Sequence, residues 1–127
     1  MKENRAVDYL GYMKDAAFRA VSFIEGLTET DFMEDERTQQ AVAMSLVVIG
    51  ESAARICEQC PEFIAKYPEI PWQAMRGMRN RIAHGYFEIN FHTVWETTVQ
   101  NLPDLLQKLE QITAQTQERD DDYEIER

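Results

Sequence analysis

Ala41-Val42-Ala43-Met44-Ser45-Leu46-Val47-Val48-Ile49-Gly50 carries no charge and a single hydroxyl. At helical spacing these residues cover every side of the cylinder. A helix here has no polar face and is buried on most sides. Its small members, Ala41, Ala43, Ser45 and Gly50, continued by Ala53 and Ala54, let neighbouring backbones come close. Asp35 is placed as its N-cap. The helix runs to about Cys60, because the residue before Pro61 resists the helical region. A central helix of this kind needs other helices packed around it, and that requirement decides the fold class.

Helical spacing recurs on both sides of it. Leu10, Met13, Ala17, Val21 and Ile24 lie three or four apart and form one stripe, which predicts a first helix from about Asn4 to Gly26. The connection that follows is acidic, with room for a short turn around Thr30-Asp31-Phe32. Downstream, Phe63 to Tyr67 fits one turn, and Tyr67-Pro68-Glu69-Ile70-Pro71-Trp72 reads as a loop. Pro71 suits the first turn of the next helix, about Trp72 to Ala83 or His84. Gly85 is placed as the C′ residue, where positive φ is expected. Asn90 is the candidate N-cap of a last long helix to about Gln117, with the stripe Val94, Trp95, Leu102, Leu105, Leu106, Leu109 and Ile112. Pro103 lies inside it and should kink or divide it. Five glycines, four prolines and no period-two alternation leave an all-α bundle of four or five helices. The 127 residues fit one domain, with the bundle over 1–117 and an acidic, frayed tail over 118–127.

The formal net charge is -10, from 13 Lys plus Arg against 23 Asp plus Glu. That balance alone argues against a polyanionic partner. The charge is uneven, however. Glu29 to Glu36 holds five acids and no base, and Glu118 to Arg127 sums to -4. Pro71 to Phe87 holds Arg76, Arg79 and Arg81 with no acid, a local +3. The acidic stretches read as solvated surface or as a dock for a basic partner. The N-terminal residues show no apolar signal-peptide core, and no apolar run approaches the roughly 20 residues of a membrane span. A cytoplasmic protein with no membrane association is therefore expected.

The basic island is Arg76-Gly77-Met78-Arg79-Asn80-Arg81-Ile82-Ala83-His84-Gly85-Tyr86. An imidazole exchanges protons near neutral pH. A guanidinium fork fits a phosphate bidentately. Arginine, histidine and tyrosine with no metal-ligand cluster suit metal-free phosphodiester chemistry. Cations near a helix C-terminus are also common for purely structural reasons. Asn80 lies four residues before His84, on the same face, where it can hydrogen-bond the imidazole. Arg79 and His84 are five apart, roughly 140° around an ideal helix. They reach one phosphate only if the helix ends before His84 or if a second copy of the chain completes the site.

The pattern Arg79-x4-His84-x-Tyr86 resembles the motif of HEPN-domain ribonucleases, and the chain as a whole looks like a HepT-type toxin. Ile49-Gly50-Glu51, Tyr67-Pro68-Glu69-Ile70-Pro71-Trp72, Met78-Arg79-Asn80, Trp95 and Asn101-Leu102-Pro103-Asp104-Leu105 extend the similarity from about Ala6 to Leu109. The resemblance implies a HEPN-like bundle that acts as a homodimer, with two motifs in a shared cleft. It implies a metal-independent endoribonuclease in which the 2′-OH attacks the adjacent phosphate, with no cofactor. His84 would be the acid/base, Arg79 the phosphate clamp, and Asn80, Arg76, Arg81 and Glu51 supporting residues. It further implies a toxin–antitoxin pair in which an MntA-like nucleotidyltransferase transfers AMP to Tyr86 and silences the RNase. The charge and bulk of that AMP would obstruct the site. The alternative is a non-catalytic nucleotide-binding or interaction subunit for a separate nucleotidyltransferase.

Glu51 follows the buried run and needs a partner. Arg55, one turn on, is one candidate and Arg79 the other. Cys57 and Cys60 form a CxxC with no second ligand pair and no βαβ setting, so two ordinary thiols are expected over a disulfide or a shared metal. His92 is expected at the surface. Trp72 and Trp95 are expected as core anchors rather than base-stacking platforms.

Overall fold

A computed structural model describes the backbone of residues 2–125 and the side chains of residues 5–116. All regular structure among the described residues is helical. The long helices are α1 (Lys2–Phe23), α3 (Glu36–Gln59), α5 (Trp72–His84) and α7 (Leu102–Ile125). Short helices α2 (Glu29–Met33), α4 (Pro61–Lys66) and α6 (Phe91–Glu96) join them. The expected all-α bundle is what forms, with α3 packed between α1 and α5 and α7 closing against α1.

Local chemistry sets the helix starts. Asp35 accepts from the Thr38 amide at 3.1 Å and the Thr38 hydroxyl at 2.6 Å, capping α3 as expected. The Asn90 side-chain oxygen accepts from the amides of His92 and Thr93 and starts α6. The turn expected near Thr30 is α2. Thr28 and Asp31 form a reciprocal capping box there. That helix exists to deliver Phe32, fully buried, against Phe91 and Trp95 at ring-centroid distances of 6.3 and 5.4 Å. Trp72 is buried, and its indole N–H donates to the Tyr67 carbonyl at 2.9 Å. The proline-rich loop is thereby tied to the start of α5. Both tryptophans therefore act as anchors.

Two expectations about helix ends need correction. Gly85 has φ -135°, not a positive value. The chain leaves α5 directly into a 3-10 turn (Tyr86–Glu88), in which the Glu88 amide donates to the Gly85 carbonyl at 2.9 Å. The left-handed glycine is Gly26, φ +80°, where α1 turns toward α2. The last helix does not stop near Gln117, and its backbone stays helical through Ile125. No Gly or Pro follows Pro103 to end it. The side chains of the acidic tail, and residues 126 and 127, lie outside the described residues.

Pro103 divides the last helix as expected. It has no N–H to give to a carbonyl one turn back. The chain widens just before it into a π turn (Thr97–Asn101), in which the Leu102 amide donates to the Thr97 carbonyl. Among the described residues α3 is the one helix long and apolar enough, by length and composition, to cross a membrane. Its burial between α1 and α5 accounts for that composition.

Candidate functional site

The site is built where α5 crosses α3. The face of α5 turned to α3 carries Trp72, Met75, Arg79 and Ile82 at helical spacing, and the three apolar members are buried. Arg79 sits in this inward row because Gly50 makes room for it. A Cβ at Gly50 would overlap the Arg79 Cβ and lie 2.6 Å from the Met75 carbonyl oxygen. Ile49 meanwhile points into the core, 2% exposed. The step Ile49-Gly50-Glu51 thus has a physical reading, as core contact, close approach and carboxylate.

Glu51 meets both candidate partners at once. One carboxylate oxygen takes Arg79 Nη1 at 2.5 Å, and the other takes Arg55 Nε at 3.0 Å. The Arg79 side chain is 23% exposed, against 43% for Glu51 and 50% for Arg55. Arg79 Nε is shielded from solvent and has no hydrogen-bond partner among the described residues. The guanidinium is held at one edge, with donors to spare for an anion. Two arginines against one carboxylate leave this cluster positive.

His84 is the last residue of α5 and is exposed, with Asn80 exposed one turn earlier on the same face. Because the helix includes His84, an early helix end does not bring it round to Arg79. Tyr86 and Phe87 follow at once, 62% and 90% exposed, with ring centroids 4.5 Å apart. Tyr86 lines a surface cleft of about 460 Å³ together with Gln40, Met44 and Val47 of α3. Arg76 lies half-buried one turn before Arg79. Arg81 faces the other way, into a cleft with Asn90, Thr93 and Val94. The sequence island is therefore split. Arg79 belongs to the α3 side and Arg81 to the α6 side.

Arg55, expected as a partner of Glu51 from its spacing of four, joins the site through that carboxylate. One feature escaped the pattern of residues. The middle of α3 is less enclosed than its composition implies. Met44 is 63% exposed, and Val47 and Val48 are half-covered. This open apolar stripe ends at Glu51 and Arg55. No property of Met44 or Val47 distinguishes them in the sequence from Leu46 and Ile49, which are buried.

The remaining candidates fall away from the crossing. His92 is at the surface, with Nδ1 2.7 Å from a Glu29 carboxylate oxygen, and it ties α6 to α2. Cys57 is half-buried and Cys60 buried, and neither is in a disulfide. Among the described residues no group of three or more His, Cys, Asp or Glu could hold a metal ion.

A helical bundle with an arginine braced at a helix crossing and an exposed histidine one turn on defines the class. Residues 13–112 match the model of the family described as Ribonuclease HepT-like. The chain belongs to the HepT-like ribonuclease family. It is 34% identical over 114 residues to a Methanocaldococcus jannaschii protein named "Putative RNase MJ0127", covering 90% of this chain and 88% of the relative. It is 35% identical over 105 residues to a Thermococcus cleftensis protein named "Probable ribonuclease HepT", covering 80% of this chain and 92% of that one. No solved structure matches it.

Proposed function

We propose that this chain is a metal-independent endoribonuclease toxin that acts as a homodimer in the cytoplasm. The observation that carries the reading is the Arg79–Glu51 pair at 2.5 Å beside an open apolar stripe on α3. A second copy laid along that stripe would cover Met44 and Val47 and bring a second motif to the same cleft. His84 of one copy removes the proton from a ribose 2′-OH. The 2′ oxygen attacks the adjacent phosphorus, and the bond to the 5′ oxygen breaks. His84 of the second copy returns a proton to that oxygen, leaving a 2′,3′-cyclic phosphate and a 5′-OH. Arg79 stabilises the added charge on the phosphorane. Asn80 orients the imidazole from one turn back, and Arg76 and Arg81 add positive potential on either side. A relative named as a ribonuclease HepT supports the toxin reading.

Tyr86 is the proposed switch. An MntA-like nucleotidyltransferase transfers AMP from ATP to its hydroxyl oxygen, which loses its proton as pyrophosphate leaves; the hydroxyl is accessible on a 62% exposed side chain. The modification adds a negative charge two residues from His84 and repels RNA.

The test is cleavage of single-stranded RNA in EDTA, with growth inhibition on expression. His84→Ala and Arg79→Ala each remove both, with the dimer retained. General acid–base catalysis is worth about 10²–10⁴-fold for His84. Unchanged inhibition by His84→Ala would leave the non-catalytic subunit as the better reading. Co-expression with the nucleotidyltransferase adds one AMP mass to the Tyr86 peptide, and its absence removes the switch.

A further inference from the structure

The groove between α1 and α3 opens directly beside the Arg79 site. Its near part, a surface cavity of about 570 Å³, is walled by Tyr9 and Tyr12 of α1 and by Val47, Val48, Glu51 and Arg55 of α3, so a second copy seated on Met44 and Val47 would border it. Its far part, about 220 Å³, is lined by Arg5, Asp8, Tyr9, Tyr12 and Gln59. The two tyrosines belong to both parts and meet edge to face, with centroids 6.2 Å apart. Tyr12 is 57% exposed although it stands in a helix with an ample apolar face.

Two further observations point to a ligand. Gln59 lines the far part, and its Oε1 is shielded from solvent with no hydrogen-bond partner among the described residues, so a turn of the amide is what would offer this acceptor to a ligand. A buried acceptor left unmet costs free energy unless something donates to it. Arg55 lends only Nε to Glu51, at 3.0 Å, and half of its side chain faces solvent. The groove therefore combines aromatic faces, an arginine beside a carboxylate at each end, and one acceptor with no donor among the described residues. Glu51 and Gln59 are eight residues apart on α3, a rise of about 12 Å. That is the reach of a short stretch of nucleic-acid strand.

We propose that this groove is a nucleobase subsite for the single-stranded RNA running away from the cleavage point. The proposal rests on the ribonuclease reading and adds to it where the flanking strand lies. A base stacks on Tyr12, with Tyr9 behind it. Arg55 and Arg5 take the phosphates on either side. Gln59 Oε1 and Asp8 accept from the amino edge of the base, which favours adenine, cytosine or guanine over uracil. Aromatic stacking tolerates every base, and the unmet acceptor supplies the preference.

The experiment measures binding of fluorescein-labelled 12-mers of oligo(A), oligo(C) and oligo(U) by anisotropy, with oligomeric state from light scattering. The cleavage-deficient His84→Ala protein is used for binding, and the wild-type background for cutting. Tyr12→Ala weakens oligo(A) binding about tenfold, the size of one stacked base, and Tyr12→Phe restores it. Gln59→Leu narrows the difference between oligo(A) and oligo(U). A dinucleotide too short to reach the groove is cut equally by wild type and Tyr12→Ala, whereas the 12-mer is cut more slowly by the variant. Equal 12-mer binding by Tyr12→Ala and the parent overturns the subsite. So does a Tyr12→Ala protein that loses binding only because its dimer dissociates, since the groove is then covered by a second copy. Tyr12-dependent binding by a wild-type protein that cuts no RNA would keep the subsite and reject the ribonuclease reading instead.

Discussion

Gly50→Ala is the sharpest test of how the site is held. The added methyl meets two atoms that cannot move away on their own. The Arg79 Cβ and the Met75 carbonyl oxygen are both fixed to the α5 backbone, the latter 2.6 Å from the new carbon. No change of rotamer relieves the overlap, so α3 and α5 must separate. Overpacking of this kind costs about 1–3 kcal/mol, and a backbone clash belongs at the upper end. Replacing a mid-helix glycine returns about 1 kcal/mol. The net is a loss of about 2 kcal/mol. For a domain of this size that corresponds to a fall in Tm of about 8 °C. Gly77→Ala on α5 is the matched control, because a Cβ there meets no atom within 4 Å. It should raise stability by about 0.5–1 kcal/mol. Thermal and urea denaturation of both variants decide the matter. RNA cleavage by folded Gly50→Ala should also fall by about 10²-fold, the usual effect of misplacing a group by about 1 Å. A Gly50→Ala protein as stable as Gly77→Ala would refute the close-approach argument.

Other consequences follow from the same geometry. Glu51→Gln should lower cleavage strongly while changing stability by less than about 1 kcal/mol, since the carboxylate is largely solvent-screened; equal loss of both would show that it acts only through folding. The hydrogen bonds from the Thr38 hydroxyl and amide hold the Asp35 carboxyl below its usual range. Its contribution is therefore complete above the ordinary aspartate pKa and is lost as pH falls through the lowered one. Asp35→Ala should accordingly lower Tm at neutral pH, and the gap to wild type should close in strong acid. Phe32→Ala should cost about 3–5 kcal/mol by emptying the pocket against Phe91 and Trp95, measurable as a shift in the urea midpoint.

Much of the bundle was legible from the residues. The apolar stripes, the caps at Asp35 and Asn90 and the break before Pro103 are local in origin, and each appears where spacing and side-chain chemistry put it. The misplaced features depend on what comes next in space. Gly85 keeps a negative φ because a 3-10 turn follows it, and α7 runs on because no residue halts it. Of the site, the arginine–histidine island was readable, but its division between two sides of α5 was not.

The sequence by itself determined that helices form, roughly where they begin, and which residue types gather in the basic island. Those properties follow from short-range periodicity and capping. Only the tertiary structure decided that Glu51 joins Arg79 to Arg55, 28 residues of chain away in the first case and one helical turn in the second. It also decided that Gly50 admits the Arg79 side of α5, and that Met44 and Val47 stay open while Leu46 and Ile49 are buried. The physical reason is common to all three. They depend on which face of α3 its neighbours cover, and a stretch that is apolar on every side carries no mark of the side left bare.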